Sequence, residues 1–131
     1  MAKSLIKILL FAYFCFDLSA MNFSVNCRML SSENGKQNFM AEVKDPYSRF
    51  NVCEIRFLIE GKIVKTSDGR DYVLTFGITG DGRGNSSIEN LFEVLGQSCS
   101  TQDIKAEITL ISKKNGSEST ETKVFDLSTQ Q

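Results

Sequence analysis

Histidine is absent from this 131-residue chain, and a wide range of chemistry goes with it. No Ser-His-Asp triad, no Cys-His nucleophile pair and no imidazole metal ligand can be assembled. A serine–lysine pair fares no better, because the S-x-x-K spacing occurs only from Ser4 to Lys7. Neither charge sign is in excess: 15 Lys and Arg stand against 16 Asp and Glu. With no basic stripe there is no electrostatic basis for nucleic-acid binding, and with no polybasic run none for an anionic membrane surface. None of the four cysteines stands in a C-x-x-C spacing, which argues against a redox motif or a zinc site. No catalytic residue, cofactor or metal ligand is therefore expected.

What is present begins with an export signature. Lys3 and Lys7 give a basic start, Leu5 to Phe16 an apolar run interrupted only by Lys7, and Ser19-Ala20 a small-residue end. This is the layout of a cleaved secretory signal peptide over residues 1–20. The run is shorter than the about 20 apolar residues that span a bilayer, and no later segment is long and apolar enough to do so. Residues 21–131 then form one β-rich domain, large enough for its own core, in a secreted or periplasmic setting. The sequence holds no evident internal repeat, low-complexity block or linker.

Period-two alternation dominates this domain. Phe23, Val25, Cys27 and Met29 share one face, as do Phe39, Ala41 and Val43, with Asn34-Gly35 as a hairpin turn between them. Asp45-Pro46 stops the second strand, since proline cannot donate to a ladder. Cys53, Ile55, Phe57 and Ile59 predict a third strand that bends at Gly61 and continues into Ile63-Val64. After Asp68-Gly69, Tyr72, Leu74, Phe76 and Ile78 predict the next. Ile104 to Leu110 alternates again, and Val124–Leu127 closes the domain after a polar loop at Asn115-Gly116. One segment reads as helix. Ser86 and Glu89 have capping-box spacing, Ile88, Leu91, Phe92 and Leu95 fall on one helical face, and Gly96 stands as a C-terminal cap. The expected fold is mostly β: a small antiparallel β-sandwich of immunoglobulin-like architecture, or a partly open barrel, with one short helix. Tryptophan, usual in the core of antibody-type sandwiches, is absent.

Export favours disulfides. If successive strands run up and down, Cys53 and Cys99 lie at the same end, which favours a Cys53–Cys99 bridge. Cys27–Cys53 is the rival, because both point inward.

The glycine-rich segment Gly80 to Asn85 follows a strand, yet it lacks the third glycine of a dinucleotide loop and carries Asp81 where a phosphate would sit. A calcium loop from Asp81, Asn85 and Glu89 fails the EF-hand spacing, and Asp68 with Asp71 is unconvincing as a catalytic carboxylate pair. N-x-S sequons stand at Asn22, Asn85 and Asn115. The expected function is a non-catalytic binding module, an envelope component or host-directed effector whose partner is another protein. Its contacts are expected from Tyr47 and Phe50 in one loop and Asp81, Arg83 and Asn85 in another. The alternative is a carrier holding a small apolar ligand between the sheets.

Overall fold

Two antiparallel sheets face one another in the computed structural model, which describes residues 23–96, 103–114 and 116–127. The first contains β1 (Ser24–Ser31), β2 (Gln37–Lys44) and β6 (Arg83–Ile88), in the order β1-β2-β6. The second contains β3 (Val52–Ile59), β4 (Lys62–Ile63), β5 (Val73–Gly77), β7 (Ile104–Lys114) and β8 (Ser117–Asp126). In it β7 pairs with one side of β3 and with β8, while β4 and β5 pair with the other side of β3. The sheets do not close into a barrel. The expected small β-sandwich is what forms.

The alternation in sequence becomes the burial pattern. Cys27, Met29, Phe39, Ala41 and Val43 point inward from the first sheet, and Cys53, Ile55, Phe57, Ile104, Ala106, Ile108 and Leu110 from the second. The faces touch directly, Phe39 meeting Phe57 edge-on with ring centroids 5.1 Å apart, a geometry the ring quadrupoles favour.

Four segments depart from the sequence reading. Beyond Ile59 the chain does not bend but reverses, through a two-residue turn in which Glu60 and Gly61 both hold positive φ. Positive φ at both central residues is what a hairpin matched to strand twist requires. β4 and β5 both lie antiparallel against β3 and act as one edge strand, interrupted by an excursion over residues 65–71 that a single bridge, Lys65 to Asp71, closes. The predicted capping box is not used. Ser86 and Ser87 lie in β6, paired with Ala41 and Met40, and α1 (Leu91–Val94) is a single turn starting from Asn90. Cross-strand pairing with β2 outcompetes the local capping signal there. Lastly, β8 begins at Ser117, well before the expected Val124. Its residues up to Val124 are exposed, so it has no apolar alternation, but every residue pairs with β7.

Phe57 is the test of the inner faces. Replacing Phe57 with Ala should cost about 3–5 kcal/mol, lowering the urea midpoint sharply. Val124→Ala, at a 57% exposed site on β8, should stay within about 0.5 kcal/mol.

Candidate functional site

The candidate contact segments converge on one end of the sandwich. β2 ends and β3 begins there, joined by residues 45–51, and the 78–82 segment enters β6 beside them. The junction rests on Asp45, which is fully buried. Its backbone N–H donates to the Gly82 carbonyl at 2.6 Å, and its own carbonyl accepts from the Ser48 N–H at 2.8 Å. The carboxylate Oδ2 accepts from the Phe50 N–H at 2.8 Å, while Oδ1 is buried with no hydrogen-bond partner among the described residues. The Ser48 hydroxyl donates to the Gly80 carbonyl at 2.9 Å. Two loops that the sequence separates by some thirty residues are thus tied to one another by main-chain and side-chain bonds.

Around this junction the predicted residues take different places. Tyr47 is 70% exposed, with its ring in solvent. Phe50 is buried instead, in edge-on contact with Phe23 at 5.4 Å, so it belongs to the core. Asp81 is exposed at the tip of its loop, and the Thr79 hydroxyl donates to its carboxylate. That bond, aided by main-chain donors and the Arg83 charge, holds the Asp81 carboxyl below its ordinary range. Arg83 and Asn85 are exposed on the outer face of the first sheet, opposite Lys44 and Glu42 in register. Four of the five candidates are therefore accessible.

Sequence reasoning missed a second layer of this end. Arg49 lies over both Phe23 and Phe50, 5.9 and 5.3 Å from their centroids, and pairs with Glu121 of β8 at 3.4 Å. The Lys123 ammonium sits 4.6 Å from the Phe23 ring centre. The two contacts on Phe23 join residues far apart in the chain, so no local spacing announces them.

A duplicated turn was also missed. Thr66-Ser-Asp68-Gly69-Arg70 and Thr79-Gly-Asp81-Gly82-Arg83 share the pattern T-x-D-G-R. The structures match bond for bond. In each, the threonine N–H donates to the arginine carbonyl (2.7 and 2.9 Å) and the glycine N–H to the threonine carbonyl (3.0 and 2.9 Å). The threonine hydroxyl donates to the aspartate in both. The pattern is five residues long, too short to register as a repeat, yet it encodes the same loop twice.

The other chemistry considered from sequence finds no assembled site. Asn85 and Glu89 are four residues apart along an extended segment, about 13 Å at strand rise, too far to share a cation with Asp81. The glycine-rich loop leads into β6 and not a helix, so the strand–loop–helix context of a phosphate cradle is missing. Asp71 is held below the ordinary carboxylate range, chiefly by a hydrogen bond from Lys65, with Arg56 adding to it. Asp68 is lowered mainly by its bond from Thr66. A general acid needs the opposite shift. Of the sequons, Asn85 is exposed on β6, whereas Asn22 and Asn115, like Cys99, lie outside the described residues. Among the described residues no helix is long and apolar enough to cross a membrane. No protein-family model, curated protein or solved structure matches the chain.

The twin turns provide an internal control for the junction. Gly69 and Gly82 hold φ of 86° and 81°, so an alanine at either meets a backbone penalty of about 1–2 kcal/mol. A Cβ on Gly69 meets nothing within 4 Å, but one on Gly82 would lie 1.9 Å from the Asp45 carbonyl oxygen. Gly82→Ala should therefore destabilise by at least about 2 kcal/mol more than Gly69→Ala, read as the difference in urea midpoints at equal m-value.

Proposed function

We propose that this protein is an exported, non-catalytic binding module, secreted or periplasmic, that recognises another protein with the loop end built on Asp45. An envelope component and a host-directed effector are both consistent with that role. The observation that carries it is the fusion of residues 45–51 and 79–85 into one rigid end with Tyr47 left exposed. A large aromatic ring in solvent, on backbone fixed by buried hydrogen bonds, makes an anchor that loses little freedom on binding. Arg83, with Lys44 beside it in register, gives the rim a positive side, and Asp81 a negative tip. Such a charged rim favours on-rate and register more than affinity.

The alternative, an apolar-ligand carrier, requires room between the sheets. The Phe39–Phe57 and Phe23–Phe50 contacts draw the two layers together at both levels, which favours the binding module.

The test begins with the mature chain as bait against envelope and host extracts, followed by titration of the captured partner. Tyr47→Ala should weaken binding about tenfold or more, or about 1.4 kcal/mol, without moving the thermal midpoint. Arg83→Ala should mainly slow association and do so most at low salt. Unchanged affinity in both variants would place the contact surface elsewhere.

A further inference from the structure

We infer that Cys27 and Cys53 join in a disulfide that pins the two sheets together through the core. Cys27 projects inward from β1 and Cys53 inward from β3, each no more than 1% exposed and both in the same core cluster. β1 and β3 lie in opposite sheets and run away from the same end, since each pairs antiparallel to a neighbour that runs toward it. Two inter-sheet ring contacts fix their level. Phe23 meets Phe50 before the cysteines, and Phe39, which pairs with Met29, meets Phe57 after them. Cys27 lies four residues beyond the first contact and Cys53 three. Before the second contact Cys27 stands two residues short and Cys53 four, so the two face each other across the interlayer gap within about two residues of height, about 7 Å at strand rise, with Ala41, a small residue, beside Cys27 in register.

The fold also weakens the ground for Cys53 pairing with Cys99. β7 runs antiparallel beside β3, with Cys53 opposite Leu110 and Ile59 opposite Ile104. The start of β7 is accordingly at the far end of the sandwich from Cys53. Asp103, four residues after Cys99, accepts a hydrogen bond there from the Glu60 N–H. The up-and-down alternation expected from sequence puts the starts of the third strand and of β7 together; the pairing sets those two strand starts apart, while Cys99 itself lies outside the described residues.

Burial pushes both thiols up to about 12, and for Cys53 the nearby charges of Glu54 and Cys27 push in the same direction. The thiolate is the attacking species, so these two thiols, free and buried in this structure, react most readily before the sheets close. In the balanced step, a Cys thiolate displaces one thiol from a small disulfide such as oxidised glutathione. The second Cys then displaces the other, so that two protein thiols become one disulfide and the oxidant leaves as two thiols.

The experiment is refolding of the full chain in a glutathione couple, alkylation of remaining thiols in denaturant, and peptide mapping without reduction. The expected result is a cross-linked pair of peptides carrying Cys27 and Cys53, with Cys15 and Cys99 alkylated. Cys99→Ser should keep that link, and its mass should fall by two hydrogens relative to the reduced form. A link from Cys15 or Cys99 to either Cys27 or Cys53, or full alkylation of Cys27 and Cys53, would overturn the inference. None of these outcomes depends on the protein having a binding partner.

Discussion

A buried carboxylate organises the loop end of this protein. Taking Asp45 out of water is expensive unless its oxygens are engaged, and one of them is held by the Phe50 N–H. That bond turns the chain from β2 toward β3, and the main-chain bond from Asp45 to Gly82 joins the same turn to the entry of β6. Gly82 is the matching half of the junction, because only a residue without a Cβ fits against the Asp45 carbonyl. Once these two meet, Phe50 is drawn into the core and Tyr47, three residues earlier, is left outside. The inward and outward aromatics of one short loop are sorted by a single polar contact.

The rest of the sandwich answers a different problem, that of exposed sheet edges. β8 is long and lies at an edge, the configuration that invites pairing with other chains. Its inner side carries Glu121 and Lys123 in register with Leu110 and Ile108, so charge sits where an apolar residue would otherwise extend the core. Arg49 and the Phe23 ring take up those charges. The exposed pairs are each worth only a fraction of a kcal/mol; their larger effect is to make β8 a poor template for a further strand.

How far the sequence foretold this depends on where the apolar residues fall. β1, β2, β3 and β7 each bury one side and β5 half-buries Leu74 and Phe76, so period-two alternation marks them, and from them the antiparallel sandwich with its inner residues. β8 is legible in the sequence only from Val124 onward, because Thr, Ser, Glu and Lys carry strand pairing without a buried face. β6 was misread since Ser86 and Glu89 satisfy a local helix signal, and pairing with β2 overrode it; local preference is a weak prior against tertiary context. A glycine in a strand signals a bend or a reversal alike, and at Glu60-Gly61 the chain reverses. At the site, the two loops were singled out from composition, but that they meet depends on β2 pairing with β6, a non-local fact. Arg49 and Lys123 were out of reach for the same reason.

The two T-x-D-G-R turns show how one local solution acquires different roles through its surroundings. Both rest on the same bonds from threonine and glycine, so each loop closes on itself without help from the core. The first stands at the edge of the second sheet, where Asp68 and Asp71 are drawn into pairs with Arg70, Lys65 and Arg56. The second is docked on Asp45, and its Asp81 and Arg83 stand beside Tyr47's loop. A self-sufficient turn costs little further entropy when it is fixed in place or when it meets a partner. The proposed recognition by this end would therefore rely on geometry already set in the free protein, with the sandwich beneath it acting as the frame that keeps two such loops in register.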